Sequence, residues 1–574
     1  MKTISELIDS HRQPISSRTR SRRSIRKIAP EVQEWVSVTE LNHFCQNDLL
    51  ADWCSVLRSE NDDKIVCDDA LSFLFEKGKE YETNVIQRIR QQTGLELLPH
   101  SSHATSRLYN DRDGIIDCNR VVQSMKRGDA IIYSAYLQDP TRRLRGIPDL
   151  LVRNDRFQTL FPDFENLGTI PTGSSRFGPY YYIPVEIKFS TIPLTTNGLS
   201  VANVDRVPFY KTQLYAYCSL LQTIQGWQPS CAFLIGKRTV HKESVYDSLS
   251  RPGMVDYTNR DLSFISTFHN GMNWLRRVKK FGPVWELDDV QSFPLNMKCV
   301  DPVHQKDKKE LASMSGEITE IWQCGVEQRK RAHEMGIYSW RDPRLTAEVM
   351  DIPLAYRQNV DSILKVNRGE MGMYHPKQLV NKIQDGPEMF VDFETLHDTF
   401  DIQQPLANPE CIFLIGVYYN NKYTQFRVNT LNDERDMIMS FYQFWTDCGK
   451  PRCWFWYAET ELWKRALQRH SIVLPEDVKW VDLYDIMRRE SFVVKGCKSF
   501  KLKHYISSLS ALSLIPVSVP PETCGSGLEA MVIAWKYYKE PRTAKIEEQM
   551  NDVISYNQFD CKALFYIVNF LREL

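Results

Sequence analysis

Apolar residues along this chain recur with two periods, and the alternation between them lays out its organisation. Residues 70–92, ALSFLFEKGKEYETNVIQRIRQQ, place apolar side chains at 71, 74, 75, 81, 85, 86 and 89, the spacing of a one-sided helix. Ahead of it, Val38-Thr39-Glu40 followed by Leu41, Phe44, Leu49 and Leu50 predicts a helix with Thr39 as N-cap. Short strand-like runs come next at Ala130–Leu137, Gly146–Val152 and Tyr181–Phe189, then a helix at 207–222 and a strand at Cys231–Ile235. Strands mixed with helices in this way predict an α/β core. Residues 300–380 change character: they are polar, charged and helical, and read as a connector. Its segment Arg329–Trp340 is either a spacer or a small helical hairpin touching a phosphate backbone. A second α/β pattern opens at Glu388–Thr395. It continues with strands at Cys411–Tyr419, Tyr423–Val428 and 452–457, helices at 433–446 and 459–470, and a helix-rich end from 527. The expected division is a flexible arm over 1–36, a first α/β domain over 37–300, a helical connector over 301–384 and a second α/β domain over 385–574.

Composition narrows the classes. The chain has 574 residues, 42% hydrophobic and 25% charged, which excludes a disordered chain, a collagen-like fibre and a coiled-coil rod. Lys+Arg and Asp+Glu both number 72, so the net charge is zero. That argues against binding nucleic acid as a bulk polycation and leaves a local groove beside acidic metal ligands. Residues 18–27, RTRSRRSIRK, form a basic arm, in which Arg22 and Arg23 are candidate nucleic-acid contacts. No apolar run is long enough for a transmembrane helix, and the N-terminus lacks the apolar core of a signal peptide, so no membrane association and an intracellular location are expected, in nucleus or cytoplasm or at a viral replication site. The 14 cysteines contain no C-x-x-C pair and read as reduced thiols.

Two constellations carry chemistry. In the first, Asp149 follows R-G-I-P, and Glu186 and Lys188 sit two apart in P-V-E-I-K-F, which puts both side chains on one face of a strand. Gly146 and Pro148 are expected to bend the preceding strand and bring Asp149 near the sheet's edge. Converging carboxylates need a cation between them, and oxygen-only ligands suit Mg²⁺ or Mn²⁺. A lysine beside the metal serves the attacking water or the phosphate. Downstream, Gln213 and Tyr217 share a helix face at i and i+4, with Lys211 nearby as a candidate nucleic-acid contact. Upstream, Glu82 lies in G-K-E-Y-E, four residues after Gly78.

This set resembles the RecB-type PD-(D/E)xK nucleases, which carry a G-x-x-x-E helix, a G-x-x-D strand, an E-x-K strand and a Q-x-x-x-Y helix. The resemblance covers about residues 37–300 and implies Glu82, Asp149 and Glu186 as metal ligands, with Lys188, Gln213 and Tyr217 completing the catalytic set. Where the family usually has His before the first Glu, this chain has Tyr81. Some relatives hold an iron–sulfur cluster through one early and three clustered late cysteines. Cys45 and Cys54 are early candidates, but the late cluster is absent from the sequence, so no iron–sulfur cluster is expected.

In the second constellation, V-D-F-E-T aims Asp392 and Glu394 the same way from an apolar strand. Tyr556 precedes Asp560 by one helical turn, and an acid in W-Y-A-E-T-E-L-W-K-R completes the group, Glu461 being preferred and Glu459 its competitor. Four acids, two metals and a phenol that orients water make a two-metal hydrolysis plan. The stretch from about 385 to 574 resembles the DEDD exonucleases of the ribonuclease H-like fold, in the branch ending Tyr-x-x-x-Asp. Asp482, in W-V-D-L-Y, falls where relatives carry a non-ligand acid. The order of the two halves is similar to a family of predicted RecB-type nucleases. The fold class expected is therefore a PD-(D/E)xK restriction-endonuclease-like core, a helical connector and a ribonuclease H-like domain. The activity implied is a metal-dependent nuclease, with DNA ahead of RNA as partner and single strands or ends as substrate. The alternatives are an RNA-directed 3′–5′ exonuclease and a nucleic-acid-binding scaffold with a decayed site.

Overall fold

The computed structural model describes residues 34–57, 69–97, 99–100, 111–166, 168–301, 303–374, 383, 386–397, 400–401, 410–517 and 526–574. Arg22 and Arg23, with nearly all of the basic arm, lie outside the described residues. The chain divides into two compact units. The first comprises Met1–Val66 and Leu74–Met314, the second Cys67–Phe73 and Ser315–Leu574.

The first unit opens with α1 (Leu41–Cys45) and α2 (Leu49–Leu57) and continues, from Leu74, with most of the long α3 (Asp69–Thr93), as the helical spacing predicts. The entry to α1 starts earlier than Thr39 implies, because the Glu40 carboxylate reaches back to accept the Ser37 N–H at 2.7 Å. The main sheet follows the order β1 (Ile131–Tyr133), β2 (Leu150–Arg153), β3 (Tyr182–Pro193), β4 (Cys231–His241) and β5 (Ser244–Tyr246), with β6 (Gly253–Asp256) also paired to β4. Pairs β1–β2 and β2–β3 are antiparallel, whereas β3–β4 is parallel. A parallel pair needs a crossover. Helix α4 (Val207–Gln225) lies between β3 and β4 in the chain, with Pro208 in its first turn and Gly226 ending it at φ 75°. Helix α5 (Ser263–Phe281) packs Phe264, Phe268 and Trp274 into the same core.

The second unit holds a sheet in the spatial order β9 (Lys422–Arg427), β8 (Glu410–Tyr419), β7 (Glu388–His397), β10 (Arg452–Phe455) and β11 (Trp480–Asp482). The first three strands are mutually antiparallel, and β10 and β11 run parallel to β7. Strand β7 is thus central, which is why nearly every apolar side chain in it is buried.

The stretch expected as one connector is divided between the units. Helix α6 (Gln305–Ser315) sends Leu311 and Ala312 into the first core, and the buried Lys308 ammonium reaches Asp48 as well as the carbonyls of Asn296 (3.0 Å) and Cys299 (2.7 Å). From Ile318 onward, side chains of α7 (Val326–Glu334), α8 (Leu354–Arg368) and the intervening loops share the second core with Phe390 and Trp454. Arg329 is buried and its Nε donates to both Glu317 carboxylate oxygens at 3.1–3.2 Å, so it is committed to packing and does not present itself to a phosphate.

Candidate active sites

In the first unit, β2 and β3 bring the first acids together. Leu150 pairs with Val185, so Asp149, one residue before β2, lies beside Glu186. The Ile187 N–H donates to Asp149 Oδ2 at 2.6 Å. Asp149 therefore stands inside the sheet rather than at its edge, since β2 has neighbours on both sides. Lys188 Nζ and Gln213 Nε2 both donate to Glu186 Oε1, at 2.7 and 2.9 Å. Gln213 also reaches the Tyr217 hydroxyl at 2.9 Å, and that hydroxyl donates to the Ile147 carbonyl at 3.2 Å. Glu82 on α3 accepts from Tyr133 at 3.0 Å. Burial, then the neighbouring Glu186, raises the Asp149 carboxyl well above its usual range. Burial also lifts Glu82, and Glu186 adds to the effect. Lys188 is raised because Glu186 and Asp149 outweigh its own burial.

Gly146 also serves space: a Cβ there would stand 2.7 Å from the Tyr217 ring and 2.8 Å from Val38. One expectation changes here. Lys211 does not face nucleic acid. It is fully buried, with Nζ donating to Asp261 Oδ1 at 2.6 Å and to the Val201 carbonyl at 2.8 Å, because its helix face is turned into the core. Tyr81, in the place of the family's histidine, is buried and donates to the Gly236 carbonyl, tying α3 to β4.

In the second unit, β7 presents Asp392 and Glu394, and the long C-terminal helix α14 (Ala544–Arg572) presents Tyr556, Asn557 and Asp560. Asn557 Nδ2 donates to Asp392 Oδ2 at 2.7 Å and to the Asp392 carbonyl at 3.1 Å, and its Oδ1 accepts from Tyr423 at 2.9 Å. Asp392 pairs across the sheet with Gly416, whose missing side chain makes room for Asn557. Tyr556 lies one helical turn before Asp560 and acts to lower that carboxyl against the effect of its burial. Lys503, on α12 (Leu502–Ala511), lies over the Tyr556 ring at 4.6 Å.

The fourth acid is Glu459, not Glu461. Helix α10 (Glu459–Arg469) buries Glu459, Trp463 and Ala466, an i, i+4, i+7 face, whereas Glu461 is exposed and paired with Lys464 at 2.9 Å. Two residues along a helix rotate a side chain by roughly 200°, so the two glutamates cannot share a face. Burial comes first among the causes that raise Glu459 to about 8, with Asp482 and Asp560 adding to it. Glu394 is raised to about 8 by burial and then by Asp560. Asp560 is pushed up to about 6 by burial. Asp392 is raised by burial, Glu394, Asp560 and Glu459 in that order, so the four acids act on one another. Asp482 does local work instead: its Oδ1 accepts from Asp485 N at 3.1 Å and caps α11 (Leu483–Arg489).

Sequence reading missed Asn557, Tyr423, Lys503 and Gly416. Only Asn557 had a local signal, lying three residues before Asp560 and so on nearly the same helix face. The oxygen-only donor sets fit a hard divalent cation. Among the described residues, Glu186 Oε2, Gln213 Oε1 and Asp560 Oδ1 are buried side-chain oxygens without a hydrogen-bond partner, one or more at each site. No three His, Cys, Asp or Glu side chains among the described residues converge closely enough to cage an ion as they stand. The free cysteines include Cys45 and Cys54.

Residues 389–572 match the family model RNase_H_2 of the RNase H superfamily, which covers β7 through α14 and hence all of Asp392, Glu394, Glu459, Tyr556 and Asp560. The domain over residues 389–572 is thus RNase H-like, the kind of domain found in nuclease-type hydrolases acting on nucleic acid. No curated protein and no solved structure matches the chain.

Proposed function

We propose that the chain is a metal-dependent nuclease with two sites, a DEDD-type exonuclease site in the RNase H-like unit and a PD-(D/E)xK-type site in the first unit. The observation that carries the reading is the buried group Asp392, Glu394, Glu459 and Asp560, four acids held together where charge is costly. These four would hold Mg²⁺ or Mn²⁺ in the second unit, and Asp149, Glu186 and Glu82 would hold it in the first. The ion, when bound, supplies Lewis-acid activation of water and phosphate. Asn557 fixes the orientation of Asp392, and Tyr556, beside Asp560, orients the attacking water through its hydroxyl. In the first unit Lys188 serves the water or the phosphate, while Gln213 and Tyr217 hold Glu186 in place. Single-stranded DNA or DNA ends are the proposed substrate.

The test is digestion of end-labelled single- and double-stranded DNA and RNA by the full chain, with Mg²⁺, Mn²⁺ or chelator. Activity stops with chelator. Each site draws its residues from its own unit, so Asp149→Ala and Asp392→Ala each leave the other's products, and only the double variant is dead. Cleavage by the double variant at the wild-type rate refutes both sites. Tyr556→Phe slows cleavage at the second site by about 10²-fold and leaves metal affinity unchanged. A Phe variant with full rate returns Tyr556 to a packing role.

A further inference from the structure

Tyr457 stands between β10 and α10, two residues before Glu459. It is 65% exposed, a large fraction for a tyrosine. Its backbone sits at φ 87°, a left-handed conformation that a bulky residue rarely adopts. Two contacts hold it there. Its N–H donates to Asp482 Oδ1 at 3.3 Å, and its ring meets the edge of Tyr484 at a centroid distance of 4.9 Å and an interplanar angle of 73°. Behind it Trp456 packs against Tyr484 and Tyr505, at 6.0 and 5.7 Å. The aromatic group is thus backed from within and open on its outer side. Tyr505 belongs to α12, the helix that carries Lys503 over the Tyr556 ring. Core packing does not explain an exposed ring on a strained backbone, whereas strain of this kind clusters at functional positions.

We propose that Tyr457 is a stacking platform for an unpaired base at the RNase H-like site, and that Lys503 contacts the phosphate of the same strand. An open aromatic face and a cation flanking the acids are the two elements of sequence-tolerant single-strand binding. A duplex end keeps its bases stacked on one another and offers no free face to Tyr457. The platform therefore selects single strands or frayed ends. It rests on the nuclease reading for the identity of the ligand, but its binding step needs no cleavage.

The test measures fluorescence anisotropy of the full chain with labelled strands of about six nucleotides, in chelator so that nothing is cut, with DNA and RNA in separate arms. Tyr457→Ala weakens single-strand binding about tenfold, in line with the loss of one stacked base. Tyr457→Gly, which tolerates the left-handed backbone, does the same, and Tyr457→Phe binds within about twofold of wild type. The loss disappears when the terminal positions of the strand are abasic. Lys503→Gln reduces the slope of log affinity against log salt by about one. Wild-type affinity in Tyr457→Ala and Tyr457→Gly overturns the platform, as does an equal loss on abasic strands. If instead Asp149→Ala with Asp392→Asn cuts like Asp149→Ala alone while the Tyr457 variants lose binding, the catalytic reading of the RNase H-like site falls and the platform stands.

Discussion

Gly416→Ala is the sharpest test of how the acid site is held. An ideal Cβ at 416 would stand 1.7 Å from Asn557 Oδ1 and 2.8 Å from its Cγ, with the Tyr423 ring at 3.0 Å. Asn557 is fully buried and has no open space to retreat into. Either the strand and helix shift, an overpacking cost of about 1–3 kcal/mol, or Asn557 swings away. In the second case the hydrogen bond to the Asp392 carboxylate is lost, at about 1.5–3 kcal/mol for a bond to a charged group. If both occur, the sum is roughly 2.5–6 kcal/mol. For a unit of this size that lowers the melting temperature by roughly 5–24 °C. Calorimetry of the full chain as wild type, Gly416→Ala, Asn557→Ala and the double variant reads this directly. Once the Asn557 amide is gone, adding the methyl group costs less than about 1 kcal/mol, and the two changes are strongly non-additive. Gly416→Ala costing the same with and without Asn557 would refute the reasoning.

Glu459→Gln removes a buried acid from the cluster and lowers second-site cleavage by about 10²-fold or more, whereas Glu461→Gln leaves the rate unchanged, as end-labelled digestion in an Asp149→Ala background will show. Lys211→Met destabilises the first unit by about 3–5 kcal/mol, because Asp261 stays buried without its partner; denaturant titration checks this, and recovery in Lys211→Met with Asp261→Leu separates pairing from nucleic-acid contact. His43 lies between Asp52 and Asp301, at 2.9 and 3.0 Å, with the His304 ring 5.9 Å away and Asp48 close enough to feel its charge. Burial lowers its pKa, but hydrogen bonds to Asp301 and Asp52 outweigh that and raise it from 6.5 to about 10. A raised pKa stabilises the fold fully below pH 6.5 and loses that contribution as pH climbs to about 10. Thermal unfolding across that window shows the decline, and His43→Gln flattens it; an unchanged slope in the variant refutes it.

What the sequence made legible followed local periods. Alternation along a strand placed Asp392 with Glu394 and Glu186 with Lys188, and one helical turn placed Tyr556 with Asp560 and Gln213 with Tyr217. The choice of Glu461 failed although its signal was local: Trp463 and Ala466 mark the inward face of α10, and Glu459 is in phase with them. Lys211 was misread because its partner Asp261 lies 50 residues away, and a lone basic residue on a helix does not reveal a distant acid. The same holds for Asn557 and Asp392, separated by 165 positions, and for Lys308 and Asp48, separated by 260. Gly416 reads as an ordinary strand glycine, and Gly146 as part of a bend, until the side chains occupying their space are known.

The Lys308–Asp48 pair governs where the polypeptide can be cut. Ending a fragment at 300, where the composition changes, removes the ammonium that neutralises Asp48 and strips Leu311 and Ala312 from the core. A carboxylate stranded in that interior would cost about 3–5 kcal/mol, enough for such a piece to come out insoluble and be scored as inactive for the wrong reason. Ending at 315 keeps the lysine with its acid. Any dissection of the two sites, or transplantation of the first half onto another protein, therefore has to carry the whole of α6 as its closing latch.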